Sequence, residues 1–240
     1  MSFLIPRRQF DPAIQEMMDR SETDPDVLRD DLANLRTINK YFGGLEANRK
    51  SILPLFQEIP AERELTILDL ATGSADQPIA LVRFARREGR KIRIVALDKN
   101  PVMLSVARAE CSAFPEITIE ERDLLTLPYP DNSFDFVLCS LAIHHFSRGD
   151  AIEILRSMKR LSRVALVVHD LHRSWITAWA AWLYTHLTTR NPITLFDSYL
   201  SARRAFTAEE LESMAREAGV HRKTITRYPF FRLVLVGFPD

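Results

Sequence analysis

A chain of 240 residues is long enough for one sizeable hydrophobic core and suits a single domain with an appendage. Its 32 basic and 32 acidic side chains cancel, which removes the strong positive field of a dedicated nucleic-acid binder, and no segment reaches the ~20 apolar residues of a stable membrane span. Cys111 and Cys139 lack metal-ligand spacing and the start at Met1-Ser2-Phe3-Leu4-Ile5 lacks a secretion signal's apolar stretch, so reduced thiols and a cytoplasmic location are expected, with no metal.

Residues 1–60 read as a helical lead-in. Asp24-Pro25 starts a helix whose stripe Leu28, Leu32, Leu35, Ile38 and Phe42 runs to a stop at Gly43-Gly44. A second helix spans Glu46 to Gln57, with Pro54 as a late start or a kink. This lead-in either caps a cleft or packs as an appendage.

From residue 61 strands and helices alternate, with strands near 65–70, 93–97, 117–120, 134–139 and 164–168. Such alternation predicts an α/β domain, a doubly wound, mostly parallel sheet covered on both faces. Asp69-Leu70-Ala71-Thr72-Gly73-Ser74-Ala75-Asp76 is a small-residue turn between the first strand and a helix near Gln77-Pro78, an arrangement that brings backbone amides and a helix N-terminus to a nucleotide-like ligand. Asp98 ends the second strand, Asn100-Pro101 opens a helix to about Ala113, and Asp123 follows the third. Asp135, inside the fourth strand, reads as structural. Ser147 with Asp150 begins a helix to about Leu161, and Thr207 with Glu210 forms a capping box on a helix that Gly219 ends. Strands near 221–228 and 231–238, joined at Tyr228-Pro229, permit only an antiparallel pair, making a seven-stranded sheet with an antiparallel last strand.

The set Asp69 to Ala75, Asp98, Asp123 and Pro128 to Leu138, in this order, resembles the class I S-adenosylmethionine (SAM)-dependent methyltransferases, especially the small-molecule branch of ubiquinone and menaquinone biosynthesis. The resemblance covers about residues 65–240 and implies SAM as methyl donor, S-adenosylhomocysteine as product and a small-molecule acceptor. It implies that Asp69 with Ala71, Thr72 and Gly73 holds the methionine part and Asp98 the ribose. Lys99 and Met103 would flank the adenine, and Asp123 with the Leu124 amide would meet its edge. The sequence departs from the family at Ala71 and Ala75, where glycine is usual.

Segment 171–206 falls where related enzymes build a lid. Trp175, Trp179 and Trp182 share a helical stripe that either faces the core or lines an acceptor pocket; the pocket is the reading preferred here. Ser140-Leu141-Ala142-Ile143-His144-His145 follows the fourth strand and His169-Asp170-Leu171-His172 the fifth. His144 is the first choice as general base with Asp170 orienting it, while Ser140 and His145 serve the cofactor side. The alternative is that these histidines cap helices or order water. The expected activity is O-methylation of a hydroxylated, aromatic or apolar small molecule. C-methylation of a quinol- or polyketide-like ring is the second reading, and a non-catalytic SAM-binding protein or a nicotinamide enzyme belongs to other classes. Oligomeric state is not readable.

Overall fold

A computed structural model describes residues 5–20 and 22–239; residues 1–4, read above for a secretion signal, lie outside them. Seven strands form one sheet: β1 (Leu65–Leu70), β2 (Ile92–Asp98), β3 (Ile117–Glu121), β4 (Phe134–Ser140), β5 (Ser162–Leu171), β6 (Arg222–Tyr228) and β7 (Arg232–Phe238). Their order is β3-β2-β1-β4-β5-β7-β6. β1 to β5 run parallel, and β7 runs antiparallel between β5 and β6.

The central strands are apolar runs because both their faces are covered. Ile67 and Phe136 pack against Ile52 and Phe56 of α2 (Gly44–Gln57) and Val82 of α3 (Asp76–Arg87). The alternate residues Leu68, Val137 and Val168 point the other way, onto α5 (Arg148–Leu161) and α8 (Ala208–Glu217). Gly237, paired with Leu166, allows this close approach, since a Cβ there would lie 2.5 Å from Val220 Cγ1. Asp135 is wholly buried and structural as read: it accepts from the Thr66 amide (2.9 Å), the Thr66 hydroxyl (3.0 Å) and Arg63, fastening β4 to β1.

The remaining helices are α1 (Pro25–Tyr41), α4 (Pro101–Glu110), α6 (Trp175–Thr188) and α7 (Pro192–Arg204). Asp24 caps α1, Asn191 caps α7, and the Thr207–Glu210 capping box is formed on α8. Pro54 stands inside α2, which begins at Gly44 rather than later. Leu28 and Leu32 of α1 pack with Met103, Val106 and Ile193, while Asn34 and Asn191 hydrogen-bond between α1 and the α6–α7 hairpin. The lead-in and segment 171–206 are therefore joined above one end of the sheet. β5 runs to Leu171, three residues past the predicted end, because β7 pairs with it as far as Arg232. Asp170 is thus a strand residue and not part of a following loop.

Candidate active site

The parallel strands deliver their carboxyl ends to one edge, and a cavity of about 680 Å³ lies there. Its wall contains Asp69, Ala71, Thr72, Gly73, Asp98, Lys99, Met103, Asp123, Leu124, Ser140, His144 and His145. Strand order puts the Asp123, Asp98 and Asp69 ends on one half and the Ser140, His144 and Asp170 ends on the other.

The turn after β1 is built from alternate left-handed residues: Ala71 at φ +52°, Gly73 at +55° and Ala75 at +60°. Two of the three are alanines, for which that conformation is strained. Asp98 holds the turn, with Oδ2 accepting from the Gly73 amide and Oδ1 from the Asn100 amide, both at 3.0 Å. The Thr72 amide donates to the Leu97 carbonyl (2.7 Å).

Three carboxylates surround this turn. Asp69 is buried, its Oδ1 has no hydrogen-bond partner, and burial, with repulsion from Asp76 and Asp98, raises its pKa to about 7. Burial likewise raises Asp76 and Asp98. A cavity wall with an unsatisfied buried carboxylate flanked by two others calls for a cation that also donates hydrogen bonds. SAM carries such an ammonium group and a sulfonium charge, so these residues fit it. Asp123 is exposed and turns inward on itself, Oδ1 accepting from the Leu125 amide (2.9 Å).

On the other half, a 3-10 turn at Ile143–His145 aims both histidines inward. His144 is buried. Its Nδ1 lies 2.7 Å from Asp170 Oδ1, and its amide donates to Asp170 Oδ2 (3.1 Å). Burial opposes charge on Asp170, but His144 and the Leu171 amide outweigh it and keep the carboxyl below its ordinary value. The Asp170 carboxylate orients the ring through Nδ1, so that Nε2 is the nitrogen turned away from it. Among the described residues Nε2 has no hydrogen-bond partner, and Glu16 Oε1 stands 3.8 Å away. Asp170 itself lies behind His144, off the cavity wall.

His145 Nδ1 pairs with Asp19 (2.8 Å), and its Nε2 lies 3.6 Å from Glu16. Burial lowers its pKa, yet Glu16 and Asp19 carry it up to about 10. No sequence pattern pointed to Glu16 or Asp19, which reach the site from the 3-10 turn Met17–Asp19 and the residue before it, ahead of α1. Glu16, His144 and His145 bring ligand atoms within 4.8 Å of one another, the spacing of a metal set. Glu16 is also paired with Arg204 (3.6 Å) and His145 with Asp19 (2.8 Å), so the three side chains belong to a wider cluster of charge pairs. Of the second histidine cluster, His169 is fully buried without a partner, and burial beside Arg232 pushes it down to about 3; neither it nor His172 reaches the cavity.

The tryptophans correct the sequence reading. Trp175, Trp179 and Trp182 do share one stripe of α6, but all three are exposed and none lines the cavity. The inner side of α6 carries Thr177, Ala180, Ala181, Tyr184 and Thr185, because close packing on α7 admits small residues and not indoles. The acceptor half of the cavity is closed by these residues, by Phe42 and by Phe230 and Phe231 of the β6–β7 turn.

The model of a family described as "Methyltransferase domain" matches residues 67–164. Demethylmenaquinone methyltransferase of Deinococcus radiodurans is 40% identical over 82 residues, 34% of this chain and 32% of that one. The ubiquinone/menaquinone biosynthesis C-methyltransferase of Rickettsia akari is 32% identical over 101 residues, 41% and 39% of the two chains. The matches thus span about a third to under a half of these relatives' length. Among solved structures, the CurJ carbon methyltransferase superposes with a TM-score of 0.69 at 13% identity, covering 93% of this chain and 63% of that one. A SAM-dependent methyltransferase from Aquifex aeolicus gives 0.59 at 15%, covering 97% and 100%. At such identities the superpositions speak for the fold alone. Matched segment and fold agree: residues 67–164 carry a methyltransferase domain, set in a fold shared with SAM-dependent methyltransferases.

Proposed function

We propose that this protein transfers the methyl group of SAM to an apolar small molecule bearing an acidic hydroxyl, a phenol or an enol. The observation that supports this reading is His144: a buried ring in the cavity wall with Nδ1 clamped by Asp170 and Nε2 without a hydrogen-bond partner among the described residues, across from the carboxylate-rich turn. When bound, SAM supplies an electrophilic methyl carbon whose transfer leaves a neutral thioether. Asp69, Asp98 and the Ala71–Ala75 turn hold its charged and polar groups. His144 Nε2 accepts the hydroxyl proton of the acceptor, and the ionised Asp170 stabilises the resulting imidazolium. Phe42, Tyr184, Phe230 and Phe231 exclude water and orient the acceptor in line, which is the larger part of what this displacement needs.

The sequence alone favoured oxygen as the methylated atom. The names of the relatives, a demethylmenaquinone methyltransferase and a C-methyltransferase, support carbon, and we take the ring carbon activated by the hydroxyl as the first reading. Oxygen is the second, since the same base serves a phenolic acceptor directly. Incubation with methyl-labelled SAM and a panel of apolar phenols, quinols and enols, followed by NMR of the product, tests both. A C–CH₃ product supports the first reading and an O–CH₃ product the second. Failure to bind SAM would overturn the assignment altogether.

A further inference from the structure

We propose that the outer face of α6, together with the β6–β7 turn, docks on the headgroup layer of an anionic phospholipid bilayer. The face is built and not incidental. At 100° per residue Trp175, Trp179 and Trp182 fall within roughly 60° of arc, and they are 45%, 61% and 44% exposed. Ile176 and Leu187 continue the surface at 50% and 76%. From Trp175 to Thr188 the helix contains no Asp, Glu, Lys or Arg. Fourteen residues make a rod of about 21 Å, too short to cross a bilayer, and no helix among the described residues is long and apolar enough to do so. A helix of this kind lies in the interface plane, where indoles place their apolar area among acyl chains and their N–H among headgroups.

The turn supplies an independent sign. Pro229, Phe230 and Phe231 join β6 to β7, and both phenylalanines are left-handed, at φ +59° each. Asn or Gly would take that conformation cheaply, whereas bulky residues are strained there. The strain places two exposed rings at the cavity rim, and Phe42 links them to α6, its ring meeting Phe230 (5.5 Å) and Tyr184 (4.6 Å) edge-on. The β6–β7 turn, one part of the docking face, is therefore continuous with the apolar half of the cavity and with the inner side of α6.

Charge selects the occupant. Across 171–206 the sole carboxylate, Asp197, is buried and accepts from the Met17 and Met18 amides. Arg190 is exposed at the end of α6. Two further exposed rings carry cations beside them, Arg20 over Phe196 and Lys40 over Tyr41 at 5.7 and 5.1 Å, while Arg203, itself buried, backs the Trp175 ring at 4.2 Å. Segment 171–206 thus exposes aromatic area and the cation Arg190 without an exposed carboxylate of its own, which complements an anionic lipid surface. A second copy would set the same cations against themselves across a two-fold axis.

Vesicle co-sedimentation tests this without donor or acceptor, so its outcome is separate from that of the catalytic reading. The full chain should sediment with vesicles of phosphatidylcholine and phosphatidylglycerol in equal parts, with a blue-shifted tryptophan emission, and much less with phosphatidylcholine alone. Salt on the order of half-molar should weaken this binding. Trp179→Glu and Trp182→Glu, with unchanged melting temperatures, should each lower the partition coefficient about tenfold or more, and Arg190→Glu should lower it for anionic vesicles only. A wild type that stays in solution with both vesicles at low salt overturns the proposal. So does equal binding by Trp179→Glu, or a soluble dimer that Trp179→Glu dissolves while vesicles bind nothing.

Discussion

Asp69 holds a carboxyl that is neutral in half the molecules near pH 7 and that must be ionised to meet a cationic ligand. Binding of SAM therefore expels a proton below that pH. Calorimetric titration should show affinity rising by up to about tenfold per pH unit from pH 5.5 to 7 and levelling above, with a flat, weak profile in Asp69→Asn. His144→Gln should lower kcat by ~10²–10⁴-fold with SAM affinity kept. Part of the loss should return at high pH, where a phenolic acceptor ionises near its own pKa of ~10. Asp170→Asn should do the same more weakly, because Asp170 acts through the ring it orients. A near-normal kcat for His144→Gln at neutral pH, with the true acceptor, would leave an enzyme working by positioning alone. The positions of Asp69 and Asp170 were legible because an acid near the carboxyl end of a buried parallel strand is carried to that edge of the sheet. Glu16 and Asp19 were not: they stand at the two ends of a three-residue 3-10 turn too short for periodicity, and only the tertiary path of that segment brings them to His144 and His145.

At the scale of elements, the turn after β1 and the helix α6 show what a local pattern conveys and what it omits. The small residues of Ala71–Ala75 announced a tight turn, and the structure adds that Ala71 and Ala75 pay conformational strain for it. Ala71→Gly should relieve ~1–2 kcal/mol of left-handed strain against ~0.4–1 kcal/mol of added unfolded-state freedom. The net expectation is a small rise in melting temperature, measurable by calorimetry; a fall would show that the Cβ of Ala71 makes contacts worth more than its strain. For α6 the period located the stripe of indoles correctly, but period alone assigns no side. The side is decided by what α6 packs on: α7 leaves room for Ala178 and Thr185, both buried, and the tryptophans turn outward. Trp179→Ala should then change stability within about ±0.5 kcal/mol, as surface substitutions do, and not by the ~3–5 kcal/mol of an aromatic core deletion.

The molecule as a whole assembles its site from segments far apart in sequence, and charge holds the seam. Arg8 donates to the His144 and Phe146 carbonyls (3.1 and 2.8 Å), Asp197 caps the 3-10 turn at Met17, and Glu16 and Asp19 clasp His145. The imidazolium of His145 is the titrating part of this seam. Its pKa is about 10 in the folded chain and ~6.5 when unfolded. A group raised in this way contributes its full stabilisation below the unfolded value and loses it as pH climbs toward the folded one. Between pH 7 and 8.5 the carboxylates held low, such as Asp170 and Asp19, are ionised in both states and contribute no slope, and His169, neutral when folded, adds only a small opposite slope as the last protons, about a quarter at pH 7, leave its unfolded ring. Asp69 and Asp197, at about 7, are completing a change of the same sign as that of His145. Stability should consequently fall across this window by up to about 1.4 kcal/mol per pH unit for the single histidine. Denaturant unfolding at several pH values measures it directly. His145→Gln should be less stable at pH 7 and nearly level from pH 7.5 to 8.5, converging on the wild type as the pH rises. A wild type whose stability holds or rises from pH 7 to 8.5 would mean that His145 is neutral in the folded chain, and that the N-terminal segment is fastened over the site by its hydrogen bonds and apolar contacts alone.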